Sequence, residues 1–145
     1  MSPRGSSRVT SCTPAEARAR REQAKAFIDV AEMVLREPAT HTDPHVAAAL
    51  AVLAAIAAPD AICGLQLGRY SRGQDHDRAV ALLETVDLPD HTLPTKLRRV
   101  LGSKDNVHYS PHLISKTAAQ TLVRQARVRN PADFETWFQP VEIDV

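Results

Sequence analysis

The polar turn GRYSRGQDH carries one set of residues suited to holding an anion. Arg69, Arg72 and His76 would meet at one end of a helical bundle if this turn joins two helices, and the N-terminus of the second helix would add a positive field. A purely structural account also fits: the two glycines shape the turn, Asp75 caps the next helix and the arginines point into solvent. The sequence leaves both accounts open.

The segment KDNVHYS carries a second set of residues with chemical potential. Lys104 and His108 are four residues apart and share one helix face, which continues the stripe of Leu97 and Leu101 toward the core. A histidine in that position is typically a hydrogen-bonded core residue, whereas a buried lysine needs a carboxylate or an anionic ligand. Asp60, in the most apolar part of the chain, is the candidate carboxylate.

The sequence gives less support to a metal site or a cofactor site. His41, Asp43 and His45 are close together in sequence, but Pro44 and the start of a helix place His41 outside the register that would align two ligands. The sequence contains no glycine-rich phosphate loop, no closely spaced cysteine pair and no nucleophile elbow. We therefore predict neither a metal nor a cofactor.

Length, cysteine usage and charge bound the class of protein. The 145 residues suit one domain with a single core. Cys12 in a polar leader and Cys63 in an apolar segment are poorly placed to form a disulfide, and the first twelve residues lack an apolar signal segment. We therefore expect a cytoplasmic protein without a membrane anchor.

The balance of charge excludes a nucleic-acid binder that works by a bulk positive field, because 18 basic residues face 17 acidic ones. Arginine outnumbers lysine by 14 to 4. That excess of arginine could serve phosphate recognition through the planar guanidinium. GC-rich coding would also produce it. The six aromatic residues are too few and too scattered to form a stacking platform for single-stranded nucleic acid.

The longest apolar run, Asp43 to Leu67, predicts a central helix. Asp43 is a suitable N-cap before Pro44, Gly68 marks the end, and Pro59 predicts a kink. A helix that is apolar all round lies either inside a bundle or in a membrane. The bundle is favoured, because a spanning helix needs about 20 strongly apolar residues and this one is mostly alanine.

The remaining chain predicts further helices and no strand, since no stretch alternates for long enough. Residues 1–12 are expected to be a disordered leader, and 13–130 a helical bundle. Residues 131–145 should form a C-terminal turn and tail, in which Trp137 and Phe138 pack on the bundle or on a partner. The class is all-α, an antiparallel four- to five-helix bundle around a long Ala-rich central helix.

Local signals give approximate bounds for the outer helices. The first should open with the capping box Thr13 to Glu16 and end near Glu37. The third starts behind Asp75, the fourth runs from Leu93 through Gly102 to Tyr109, and the last covers about 113–129. The expected inward residues of the first and last helices are Ala17, Ala24, Phe27, Ile28, Ala31, Val34, Leu35, Ile114, Ala118, Leu122 and Ala126.

The order of elements and the two polar segments together resemble the HEPN domain (higher eukaryotes and prokaryotes nucleotide-binding), an all-α bundle. DHDRAVALLETV resembles the family's third helix, which opens with a histidine, here His76. KDNVHY resembles the later helix that carries an arginine and a following histidine or tyrosine, here Lys104, His108 and Tyr109. The resemblance covers roughly residues 14–130.

The resemblance implies a homodimer whose helix ends form a shared cleft and, in active members, a metal-independent endoribonuclease. Lys104 would stabilise charge on the reacting phosphate, and His108 would act as acid or base in attack by the 2′-hydroxyl. Lysine replaces the family's arginine and lacks its bidentate fork. The family's arginine-to-histidine spacing is met only by Arg69 and His76, at the other junction.

Three hypotheses follow. The first is an RNA-cleaving enzyme of the bacterial toxin or defence type, with an antitoxin-like or nucleotidyltransferase-like protein as partner. The second is a non-catalytic module that binds nucleotide or RNA, and the third is a structural protein-interaction partner. RNA cleavage by the purified protein distinguishes the first hypothesis from the other two.

Overall fold

The computed structural model describes residues 9–73, 75–129 and 134. Within these residues the chain forms six helices and one two-stranded sheet, so the predicted all-α helical bundle is confirmed. In chain order the elements are β1 Val9–Ser11, α1 Pro14–Arg36, α2 Asp43–Leu67, β2 Arg69–Ser71, α3 His76–Leu83, α4 Leu93–Gly102, α5 Lys104–Tyr109 and α6 Lys116–Ala126.

Helix α1 begins with the predicted capping box. The Thr13 hydroxyl accepts from the Glu16 N–H at 3.1 Å, and the Glu16 carboxylate accepts from the Thr13 N–H at 2.9 Å. These bonds satisfy two donors at the helix start. The predicted inward face is also confirmed, with Phe27 and Val34 half-buried beside the fully buried residues Ala17, Ala24, Ile28, Ala31 and Leu35.

Helix α2 lies at the centre of the bundle and has the predicted bounds. Most of its alanines are buried, Val46 and Leu53 are exposed, and the helix continues through Pro59. Gly68 ends it with φ of 69°, a left-handed conformation that costs glycine little. By length and composition α2 could cross a membrane, but 67% of its most apolar 18-residue window is buried inside the protein. Helix packing therefore accounts for its apolar surface.

The predicted N-cap of α2 is displaced by one residue. Thr42 occupies the cap position, and Asp43 is the first residue of the helix. The Asp43 carboxylate instead accepts from the N–H groups of Ala39 and Thr40, at 2.6 and 3.1 Å. It therefore closes the turn that leads into the helix. The Thr40 hydroxyl also donates to this carboxylate at 2.8 Å, and that bond, with the two from the main chain, lowers the pKa of Asp43.

A small sheet, which the sequence did not predict, joins the two ends of the α1–α2 hairpin. Strand β1 pairs antiparallel with β2, with Thr10 opposite Tyr70. The Cys12 N–H extends the pairing by donating to the Gly68 carbonyl at 2.9 Å. The expected disorder of residues 1–12 is therefore wrong for 9–12, and residues 1–8 lie outside the described part. Three-residue strands are too short to produce a detectable alternation.

Gly64 lets the chain after β1 lie directly on α2. A Cβ atom at this position would be 2.7 Å from Cys12 Sγ and 2.9 Å from Ala17 Cβ. Both distances are too short for ordinary van der Waals contact. The close packing of β1 and of the first turn of α1 against α2 therefore depends on glycine at position 64.

The second half of the chain forms shorter helices than expected. Helix α3 starts behind Asp75, which caps it as predicted. A turn at Ser103 separates α4 from α5, so the expected continuous fourth helix is wrong. Helix α6 starts behind Ser115, whose hydroxyl caps it. Ala118 is exposed and Ala119 is buried, which corrects one predicted inward position.

The helices pack around α2 so that α3 and α5 share one region. Helix α6 packs on α2, α4 and α1, while α3 contacts α2, α4 and β2, and α5 contacts α2 and α4. The predicted C-terminal turn with Trp137 and Phe138 lies outside the described residues, apart from Phe134, which is buried. The short helices thus bring both polar segments of the sequence to neighbouring positions.

Candidate functional site

The first turn of α3 meets the first turn of α5. His76 is the first residue of α3, Lys104 is the first residue of α5, and both are half-buried. The Lys104 Nζ atom lies 3.4 Å from His76 Nε2. An ammonium group can only donate, so this contact requires a lone pair on Nε2 and places the imidazole proton on Nδ1. One residue from each predicted set is thus brought together.

The surroundings of His76 favour its neutral form. Burial lowers the pKa of His76 and the charge of Lys104 lowers it further, against weaker opposing effects from Asp75 and Asp77. Among the residues that the structure describes, no carboxylate forms an ion pair with Lys104. The site therefore combines an uncharged proton acceptor with a cation that has no balancing carboxylate.

His108 and Tyr109 lie on the surface rather than toward the core. Tyr109 is 75% exposed, His108 is exposed, and Val107 fills the buried position of α5. The prediction failed because it carried the inward stripe of α4 through an unbroken helix, and the turn at Ser103 starts a new helical phase. His108 remains four residues after Lys104 in one helix, so both side chains extend from the same side of α5.

Among the described residues, no hydrogen bond links the side chain of Arg69 or Arg72 to His76. Both are exposed, Arg69 in β2 and Arg72 just after it. Within residues 9–73 and 75–129, neither arginine side chain makes a hydrogen bond or an ion pair. Burial raises the pKa of Cys63 to about 12, and the positive charge of Arg69 partly opposes that rise. The three-residue anion site therefore stays a prediction.

Asp60 pairs with Arg20, so the expected pair with Lys104 is wrong. The Nε and Nη2 atoms of Arg20 each lie 3.4 Å from Asp60 Oδ2. The cause is the antiparallel hairpin, which places the second half of α2 against the first half of α1. Lys104 belongs to α5 and meets the start of α3 instead.

Burial dominates the state of Asp60. Its side chain is 16% exposed, and burial raises its pKa to about 6 although the charge and hydrogen bonds of Arg20 act in the opposite direction. A cavity of about 200 Å³ beside it is lined also by Cys12, Glu16 and Tyr70. Burial raises the pKa of Cys12 too, so its thiol is not an activated nucleophile. An acid within an apolar helix was the sequence signal for this site.

His45 has a structural role that the sequence did not indicate. Its Nε2 atom lies 2.6 Å from the Val107 carbonyl oxygen, and its Nδ1 atom accepts from the Ile114 N–H at 3.0 Å. Both ring nitrogens thus join the start of α2 to the main chain on either side of Pro111. Neither is free for a metal ion, and among the described residues no group of three potential metal ligands occurs.

Comparisons with known proteins leave the family undetermined. The chain was compared with protein-family models, with curated proteins and with solved structures, and nothing matches. The resemblance to the HEPN domain therefore stays a prediction from the sequence. Any function has to be argued from the site itself.

Proposed function

We propose that the protein acts on RNA at the α3–α5 junction and cleaves it without a metal ion. The observation that carries the proposal is the 3.4 Å contact between Lys104 Nζ and His76 Nε2. It supports a division of tasks between two neighbouring groups. A neutral imidazole can accept a proton, and a cation beside it can stabilise negative charge on a phosphate.

The nucleophile in this reaction is the 2′-hydroxyl of the substrate. As substrate binds, the Lys104 ammonium moves from His76 Nε2 to a phosphoryl oxygen, and the freed Nε2 lone pair removes the hydroxyl proton. The 2′-oxygen then attacks the adjacent phosphorus, and the bond from phosphorus to the 5′-oxygen breaks. Lys104 stabilises the charge that develops on the phosphoryl oxygens. The departing 5′-oxygen takes a proton from His108. The products are a 2′,3′-cyclic phosphate and a 5′-hydroxyl group.

This proposal changes the role of one predicted residue. His76, which the sequence placed in an anion site, becomes the general base, because it is the histidine that adjoins Lys104. The exposed ring of Tyr109 is available to a base of the RNA, and the exposed Arg69 and Arg72 are available to its phosphates. The substrate contacts thus extend over the surface around the pair.

Cleavage of labelled RNA in the presence of a chelator tests the mechanism. His76→Ala should slow cleavage by about 10²- to 10⁴-fold, the usual contribution of a positioned general base, with RNA affinity largely kept. His91→Ala, at an exposed histidine outside the site, is the matched control. If the wild-type protein leaves varied RNAs intact while still binding them, the non-catalytic module replaces the enzyme.

We infer that the active form is a two-fold dimer in the cytoplasm. Several large apolar side chains of the α1–α2 hairpin are exposed, including Met33 at 58% and Leu53 at 38%. A second copy would remove such surface from water. Light scattering should therefore give twice the chain mass of 15.9 kDa, and Met33→Glu should give a monomer with little change in melting temperature. A monomeric wild-type protein at micromolar concentration contradicts the dimer.

We propose a protein partner as the regulator of this activity. An antitoxin-like or nucleotidyltransferase-like protein would regulate a cytoplasmic ribonuclease by covering its site. Co-expression with a neighbouring gene product, followed by cleavage assays of the purified complex, tests that idea directly.

A further inference from the structure

A second cationic surface lies between α1 and α6, on helices that do not contribute to the α3–α5 junction. A cavity of about 440 Å³ opens there, with Leu35 and Val123 as its apolar lining. One acid, Glu32, lines it against a larger set of cations. The lining arginines are Arg36, Arg124, Arg127 and Arg129.

Arg127 is held in a fixed orientation by the acids of α1. Its Nε atom donates to Glu32 Oε1 at 2.7 Å, and its Nη2 atom donates to Asp29 Oδ1 at 2.7 Å. Asp29 also accepts from Lys25 Nζ at 2.6 Å. These bonds use one edge of the guanidinium, and Nη1 has no partner among the described residues. A guanidinium oriented in this way loses little entropy when it binds a further anion.

The other three arginines of the cavity are not balanced. Within the described part of the chain, Arg36, Arg124 and Arg129 form no ion pair. Gathering like charges at one concave surface raises the local positive potential, which attracts anions. A neighbouring cavity of about 420 Å³ shares Arg127 and Arg129, so the cationic surface continues along the groove.

We infer that this groove, which we call the α1–α6 groove, binds a ligand with several adjacent phosphate groups. Guanidinium forks match phosphate oxygens in pairs, and three unbalanced cations suit a ligand that carries several negative charges. The volume is within the range of small-molecule sites. An acidic protein segment fits less well, because the described lining of this cavity is mainly polar and gives such a segment Leu35 and Val123 as aliphatic anchors.

Two sources share this chemistry, a free oligophosphate and the backbone of RNA. Calorimetric titration with inorganic triphosphate probes the first, and fluorescence anisotropy of a labelled single-stranded RNA probes the second. Arg124→Ala and Arg129→Ala should each lower the affinity for the probe that binds in the groove by about 10- to 100-fold, since each removes a charged hydrogen-bonding partner. Arg98→Ala, at an exposed arginine of α4, should leave the affinity unchanged.

Further variants separate a lost ligand contact from a lost fold and from the α3–α5 site. Arg124→Lys keeps the charge without the fork and should recover part of the affinity. Triphosphate that binds at the α3–α5 junction instead would lose affinity in Lys104→Gln and keep it in Arg124→Ala, and that result overturns the inference. If the arginine variants lose affinity for triphosphate alone, the ligand of the groove is a free oligophosphate. If they lose affinity for RNA alone, the ligand is the RNA backbone. The inference is overturned if neither probe binds the wild-type protein. It is also overturned if the double variant, Arg124→Ala with Arg129→Ala, binds triphosphate and RNA with wild-type affinity.

Discussion

The Arg20–Asp60 and Lys104–His76 pairs place a basic side chain at the same distance, 3.4 Å, from a titratable group. At the first pair the two charges are opposite, yet the pKa of Asp60 rises to about 6 because burial outweighs the attraction to Arg20. At the second pair, burial and Lys104 act together and lower the pKa of His76. A basic neighbour therefore does not by itself decide the protonation state of either group.

The difference between the pairs also separates stability from chemistry. Asp60 lies within the core helix, where its ionised form costs folding free energy at neutral pH. His76 is half-buried at a helix start, and in the proposed reaction its neutral form accepts the proton. Substitutions at the first pair should thus change stability, and substitutions at the second should change reactivity.

The largest expected effect comes from removing the cation of the first pair. Arg20→Met leaves the Asp60 carboxylate without its partner and should lower the free energy of unfolding at pH 8 by about 2 kcal/mol, less than a fully buried pair because Arg20 is 33% exposed. Urea denaturation measures the loss. Arg20→Met with Asp60→Asn should recover most of it, and a double variant as unstable as the single one contradicts this account.

The effect of Asp60→Asn on stability should depend on pH. The folded-state pKa of Asp60, about 6, is above the reference value of 3.8, so the folded protein binds a proton more tightly and stability falls as pH rises from about 4 through 6. Asp60→Asn removes this dependence and should stabilise the protein by about 2 kcal/mol at pH 8 and hardly at all at pH 4. Thermal melts at the two pH values measure it, with exposed Asp87→Asn as control. An equal loss of stability in Asp60→Asn at both pH values would contradict this account and show that the fold needs the carboxylate itself.

The smallest effect tests the second pair. Lys104→Gln removes one of the two causes that lower the pKa of His76, so that pKa should rise, while burial keeps part of the shift. NMR titration of the His76 ring resonances measures the change directly. Lys116→Gln, at an exposed lysine of α6, is the control. A His76 titration curve that does not move would mean that the Lys104 contact is not maintained in solution.

Local signals predicted the parts of the fold that depend on neighbouring residues. The apolar run and Gly68 gave both bounds of α2, and the pattern Thr13 to Glu16 gave the start of α1. The sheet was missed because each strand has three residues and pairs across the entire hairpin. The break at Ser103 was missed because the apolar spacing of α4 continues through it, and no proline marks the end.

The candidate site was predicted as residues but not as an arrangement. His76 and Lys104 were both singled out by type, and their contact depends on how α3 and α5 pack on α2 and α4, which no local pattern contains. Asp60 was recognised as an unusual acid, but its partner was assigned to the wrong helix. The convergence of arginines in the α1–α6 groove was not predicted, because it is a property of the packed helices.

The pairing of β1 with β2 also bears on how the chain is made. During synthesis, residues 9–11 leave the ribosome before any part of their partner strand exists, and α1 and α2 must emerge in between. Contacts within the helical hairpin are nearer in sequence and should form first, because closing long loops is slow. The strand pair then closes last and ties α1 to the far end of α2. A nascent chain arrested before Arg69 would carry β1 as an unpaired edge, open to pairing with other chains.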